Sequence, residues 1–305
     1  MQECPMSIQL AFSTAICPDF SPKQVIELAK ATGISQVELI TTSSEYPTLA
    51  CDPLKGNPHE LHEQFEAEQI KVACISLNVC MHHVDSDQIQ KAASRVEHAL
   101  RVARTLGCAY VRIQGNNVKP HESRRKVISR MMDNVLPLAQ MAAEHGVTLL
   151  FENNGSFAKA KDWWTLINMT EHPMIGVSWN QTNAFAVGEN PGISIPLLHS
   201  RIHIARINDL MEGSGNDFVA IGEGVVPVRE VIHRLMGIGF DRILTIAYDR
   251  AWLGTDVDIA EFLTQTRETL SSWMQESATL IEEAQVKINK IATRNAPKPR
   301  QRASC

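Results

Sequence analysis

Eight short clusters of polar residues carry the groups that could do chemistry. They are Ser13 and Thr14; Glu38 and Thr41; Asn78, His82 and His83; Arg112 and Gln114; Glu152, Asn153 and Asn154; Trp179, Asn180 and Asn183; His203, Arg206, Asn208 and Asp209; and Tyr248, Asp249, Arg250 and Trp252. Each cluster sits at or just beyond an apolar run. A fold that gathers the ends of those runs would bring amides, carboxylates, guanidiniums and aromatic rings to one mouth. Such a mixture suits a small sugar or polyol. His82 and His83 are adjacent, so their side chains diverge and a shared metal is not expected. Trp179 and Trp252 stand at run ends, where core and pocket roles are equally open. Glu38 lies inside its run, either as a partnered buried acid or as a pocket-floor residue.

The elements that must position these groups follow a repeated grammar. LAKATGISQVELIT, RVARTLGCAYVRIQ, MAAEHGVTLLFEN and RLMGIGFDRILTIAY each give a helical segment, a glycine, then a short β-branched run. A glycine just past a helix supplies the left-handed cap that ends it. The run that follows is short and apolar, as a buried parallel strand is. Further runs at IQLAFS, KVACISLNV, MIGVSW and RIHIARIND complete eight strands. Their expected starts lie near residues 8, 36, 71, 110, 147, 174, 201 and 242. Ser21 before Pro22 reads as a helix N-cap with proline at the first helical position. Eight alternating strand and helix units predict a closed (β/α)8 barrel. No Gly-x-Gly-x-x-Gly follows the first strand, which argues against a dinucleotide-binding sheet.

Composition sets limits on partners. The chain has 305 residues, 44% of them hydrophobic, and a formal charge of -5. Removing the four positive charges of Arg294, Lys298, Arg300 and Arg302 leaves the remainder at -9. An acidic body argues against nucleic acid as a partner. No apolar stretch approaches the ~18 residues of a membrane span. Seven cysteines, an odd number without Cys-x-x-Cys spacing, suggest a reducing cytoplasm. The expected organisation is a barrel over residues 1–275, a helix over 276–293 and a basic, disordered tail over 294–305. Ile281, Ala284, Ile288 and Ile291 form a stripe at 3-4-3 spacing. The stripe suits either packing on the barrel or a homo-oligomer contact.

The motifs GISQVELI, LLFENNGSF, IGVSWNQTNAF, IHIARINDL, VAIGEGVVPV and GFDRILTIAYD, in this order, resemble the xylose isomerase-like barrels. That superfamily includes sugar epimerases. The resemblance covers about residues 7 to 273. It implies a divalent metal held by Glu, Asp, His and Glu from strands five to eight. Those positions fall on Glu152, Asn180, Arg206 and Ala247. Asn180 removes a charge, Arg206 has no lone pair to give, and Ala247 offers no donor. Three of four ligands are therefore replaced, and no cofactor is expected. A rescued site from Glu152, His203 and Asp249 is the alternative. His203 should face the helices if Arg206 faces the barrel. The resemblance implies a divergent sugar or polyol isomerase or epimerase without the usual metal, with Glu152 as the base and Arg206, joined by His82 or His83, stabilising an enediolate oxygen. Ligand binding would involve His82, His83, Arg112, Asn154, Trp179, Asn180, Asn183, Asp209, Asp249 and Trp252. The alternative is a pseudoenzyme or sugar-binding protein that kept the barrel. In either case Arg206 is expected to pair with Glu152 in place of the cation.

Overall fold

The computed structural model describes residues 8–213, 217–254 and 256–295. Eight parallel strands close into a barrel. They are β1 (Gln9–Ser13), β2 (Gln36–Ile40), β3 (Lys71–Ser76), β4 (Tyr110–Gln114), β5 (Thr148–Glu152), β6 (Ile175–Asn180), β7 (Ile202–Ile207) and β8 (Ile243–Ile246). Each pairs with its sequence neighbour, and β8 closes on β1 with Gln9 opposite Ile243. Every strand begins within one residue of its expected start. A closed, eight-stranded (β/α)8 barrel is thus the fold.

The expected caps explain that agreement. Ser21 caps α1 (Pro22–Thr32) in a capping box with Gln24. Gly33 ends α1 at φ 67°, in the left-handed region that admits glycine without a Cβ clash. Gly146 does the same at φ 68° for α4 (Arg124–His145), which runs on through Pro137. Between them lie α2 (Pro58–Ala67) and α3 (Ser86–Thr105). After β5 come α5 (Ala160–Thr170), α6 (Gln181–Ala186) and α7 (Pro191–Leu198), then α8 (Val228–Gly237) before β8. The helices sheathe the strands around a continuous apolar layer. A second, smaller cluster of Ala11, Ala73, Cys74, Leu150, Ile204 and Ile243 fills the lower barrel.

Two features depart from the simple pattern. The β6–β7 register slips between Val177 and Ser178, which pair with Ile202 and Ile204 and leave His203 unmatched. This bulge breaks the in-out alternation. His203 packs against Tyr110, with ring centroids 5.5 Å apart, and lies where a Cβ on Gly176 would strike its ring. The expectation that His203 faces the helices is therefore corrected. It sits at the N-terminal floor of the barrel, at the opposite end from the mouth. The second departure is α9 (Ile259–Asn295), one continuous helix of 37 residues with no break at residue 275. Its first part packs on α1 and α8, and its end extends beyond the barrel. The proposed tail beyond residue 295 lies outside the described residues. No helix among the described residues is long and apolar enough to cross a membrane.

Candidate functional site

The barrel's centre holds two acids and two arginines from four strands. Glu38 on β2, Arg112 on β4, Glu152 on β5 and Arg206 on β7 all point inward and all are buried. Arg206 Nη1 donates to Glu38 Oε2, and Arg206 Nε lies 3.2 Å from Glu152 Oε1. That second contact is an ion pair whose N–H is not aligned as a hydrogen bond. Arg112 Nη1 donates to Glu152 Oε2, and Arg112 Nη2 lies 3.8 Å from Glu38 Oε1. The four side chains therefore form a closed, formally neutral ring. Arg206 does pair with Glu152, but its hydrogen-bonded partner is Glu38.

Hydroxyls and an amide complete the ring. Arg112 Nε donates to Ser76 Oγ at 2.9 Å, and that hydroxyl donates to Glu38 Oε1 at 2.8 Å. Asn180 Nδ2 donates to Glu152 Oε1 at 2.8 Å. Burial alone would push the Glu38 carboxyl up, yet Arg206 and Arg112 hold it below the usual range. Burial opposes the charge on Arg206, and Glu38 and Glu152 more than offset that, so its pKa is raised.

This arrangement does not fit a divalent cation. Glu152 has both oxygens committed to guanidinium or amide N–H groups. Asn180 caps α6, its Oδ1 accepting from Thr182 N at 3.1 Å and Asn183 N at 3.2 Å. Its oxygen is thereby turned away from the ring, and its NH2 toward it. Arg206 fills the centre with positive charge, and Ala247 contributes only a methyl. No group of three or more His, Cys, Asp or Glu among the described residues could hold a metal ion. The rescue through His203 is removed by its place at the floor.

Above the ring opens a mouth of about 370 Å3. Of the expected residues, Arg112, Glu152, Asn154, Asn180, Asn183, Arg206, Asp249 and Trp252 line it. Four do not. Trp179 is fully buried toward the helices, since its neighbour Asn180 takes the inward position. Asp209 is fully buried and accepts from the backbone N–H groups of Leu210, Gly222, Gly224 and Val226 at 2.9–3.1 Å. It anchors the turn after β7, and Gly224 is needed because a Cβ there would overlap Asp209 and the Leu210 carbonyl. His82 and His83 pack in the loop after β3. His82 Nε2 lies 3.0 Å from the Asn117 carbonyl, and His83 Nε2 lies 3.3 Å from Cys80 Sγ. Burial lowers the His82 pKa.

Sequence reasoning missed Glu45 and Tyr46, which reach the mouth from the irregular segment after β2. That segment is tied down by Thr42 N donating to Asp52 Oδ2 at 3.0 Å and by Arg95 Nη2 donating to the Thr42 carbonyl at 2.7 Å. No periodicity marks such a loop. The Tyr46 hydroxyl is buried and faces the Asp249 carboxylate. Its burial and the adjacent Asp249 carboxylate push its pKa well up. A larger hollow of about 630 Å3 lies at the strands' N-terminal ends. It is lined mainly by apolar residues such as Phe65, Ile70, Val72 and Leu106, away from the charge ring.

Residues 26–284 match the family described as xylose isomerase-like TIM barrel. Among solved structures, an L-ribulose 3-epimerase superposes with a TM-score of 0.76 at 13% identity, over 95% of this chain and 100% of the other. The IOLI protein with a binding zinc atom gives 0.74 at 17%, over 88% and 99%. D-psicose 3-epimerase with D-tagatose, from Clostridium cellulolyticum H10, gives 0.70 at 13%, over 89% and 99%. At these identities the likeness is one of fold. No curated protein sequence matches the chain.

Proposed function

The chain belongs to the xylose isomerase-like TIM barrel family, and from that we propose that its mouth binds a small, uncharged sugar or polyol over an arginine–glutamate ring that stands in for a divalent cation. The closed ring of Glu38, Arg112, Glu152 and Arg206 carries this reading. A catalytic base needs a free lone pair, and Glu152 receives Arg112, Asn180 and the charge of Arg206. Ala247 stands where the resemblance places the second glutamate, so that carboxylate is missing from the mouth. Binding is therefore better supported than two-glutamate epimerisation.

The ligand's charge follows from the lining. Glu38, Glu45, Glu152 and Asp249 face Arg112 and Arg206, a formal charge of -2 in and beneath the mouth. The guanidiniums are already paired, so a phosphate or carboxylate would meet two unmatched acids. Hydroxyls instead find acceptors at Glu45 and Asp249, amides at Asn154 and Asn183, and an apolar face at Trp252. Titration calorimetry against neutral sugars and inositols, set beside their phosphates, tests this. Binding of the phosphates alone would overturn it. Metal analysis of the same protein should find less than one equivalent of divalent ion.

Tyr46 and Asp249 favour a second reading, catalysis without a metal. The Tyr46 hydroxyl lies beside the Asp249 carboxylate, whose Oδ1 accepts from Ala251 N at 2.9 Å, and the two form a proton-transfer pair in the mouth. Exchange of a bound ligand's carbon-bound hydrogen with D2O, followed by NMR, separates the two. Exchange that is lost in Asp249→Asn supports catalysis, and its absence supports binding alone.

A further inference from the structure

The hollow at the N-terminal ends of the strands lies at the opposite end of the barrel from the mouth, and the charge ring does not account for it. Its volume, about 630 Å3, is that of a small-molecule site. One side is apolar. Phe65 on α2, Ile70 just after it and Leu106 just after α3 form that wall. The other side is polar. Lys71 opens β3, Tyr110 opens the adjacent β4, and both line the hollow. Among the described residues the Lys71 ammonium makes no ion pair and the Tyr110 hydroxyl no hydrogen bond. Burial raises the Tyr110 pKa, so the hydroxyl keeps its proton and can donate. The strongest charge acting on that hydroxyl is the Arg242 guanidinium. Glu66, an acid on the rim, has its Oε2 3.4 Å from His62 Nε2.

We propose that this hollow binds a small free carboxylic acid with an apolar tail, such as a medium-chain fatty acid. The tail lies against Phe65, Ile70 and Leu106, and the carboxylate accepts from Lys71 and Tyr110. Charge selects the head group. A cation would meet Lys71 with Arg242 nearby, and a neutral head would leave the ammonium without a counterion. A carboxylate has two oxygens for one ammonium and one hydroxyl, and both hydrogen bonds are charge-assisted. The wall selects the tail. A sugar laid against it would strand hydroxyls on an apolar surface. Each methylene withdrawn from water there should tighten binding by about fourfold. The two ends of the barrel thus have opposite preferences, an uncharged polyol at the acidic mouth and an amphipathic acid at the floor.

Titration calorimetry of the full chain with octanoate tests the site. Wild type should take up a single equivalent, and hexanoate should bind about tenfold more weakly. Ala109 is exposed on the wall of the hollow. Ala109→Trp should therefore fill it and remove binding, with the melting temperature unchanged. Lys71→Glu should weaken octanoate by about tenfold and leave octanol as it was, because only the charged head has lost its partner. Tyr110→Phe should weaken octanoate by about threefold. No uptake by the full chain, as when another segment or another protein covers the hollow, overturns the proposal. So does binding indifferent to Ala109→Trp, or a loss in Lys71→Glu that octanoate and octanol share equally.

Discussion

Arg206→Met should cost stability through two stranded acids rather than through lost packing. Methionine keeps most of the side chain's length and apolar volume but removes the charge. Glu38, fully buried, would then keep Ser76 at 2.8 Å and Ser13 at 3.4 Å, with Arg112 no nearer than 3.8 Å. Removing one partner of a buried ion pair costs about 3–5 kcal/mol. The pH dependence identifies the cause. In wild type the Glu38 carboxyl is held low, so its contribution is present above the usual carboxylate range. It is lost only as pH falls through the depressed folded value. In the variant, burial is opposed only by Arg112 and the Ser76 hydrogen bond, and the folded pKa rises. A raised carboxyl takes up a proton on folding, so the variant recovers stability toward low pH. Urea unfolding followed by tryptophan fluorescence should therefore show a smaller deficit at pH 5 than at pH 8. Adding Glu38→Gln to Arg206→Met should restore part of the loss, by about 2 kcal/mol. A deficit that is the same at both pH values, or that grows with the second substitution, would refute the argument.

Three further outcomes follow from the same geometry. Burial, then Arg242 and Arg201, hold the His203 imidazole down to about 4. An unfolded chain protonates it near 6.5, so stability is complete above that pH and falls by roughly 3 kcal/mol between about 6.5 and 4. His203→Gln should flatten that slope in urea titrations, and an unchanged slope would exonerate the histidine. Gly224→Ala should destabilise by about 2–4 kcal/mol, because the new Cβ overlaps the Asp209 carboxylate that four backbone N–H groups share. Thermal denaturation measures it, and a neutral result would mean the turn is not closed on Asp209. Asn180→Asp keeps the α6 cap but turns a donor to Glu152 into a second acid. Its melting temperature should fall at pH 7 and recover toward pH 5, and excess Mn2+ should not restore it. A rise with Mn2+ would show that the ring can open to a cation.

What the sequence made legible was local. Gly33, Gly107, Gly146 and Gly239 end helices in the left-handed region, and each announces the strand behind it. Strand alternation then placed Glu152 and Arg206 inward. The same rule excludes Trp179 once Asn180 faces in, so admitting both to the mouth was an inconsistency readable from sequence. Alternation failed at His203 because a bulge is a property of two strands together, and neither strand's residues mark it. Asp209 looked like a pocket acid because its four N–H partners come mainly from a turn 13 to 17 residues on. The pairing of Arg206 with Glu38 was least accessible. The two are 168 positions apart, on strands that do not touch, and meet only because both side chains reach the barrel axis.

That pairing makes sense of the substitutions taken together. The resemblance expects three acids and a histidine around a divalent charge. Here Glu152 remains, Asn180 and Ala247 remove two negative charges, and Arg206 replaces the neutral ligand with a fixed cation. Arg206 alone would leave Glu38 and Glu152 competing for one positive charge in a dry interior, where an unpaired carboxylate is costly. Arg112 supplies the second cation and touches both acids. An acid restored at 180 or 247 would upset that balance, and a metal would have to displace a guanidinium that is already hydrogen-bonded. The altered ligand positions are one coupled solution to a charge problem, so reverting any of them singly should lower stability before it restores chemistry.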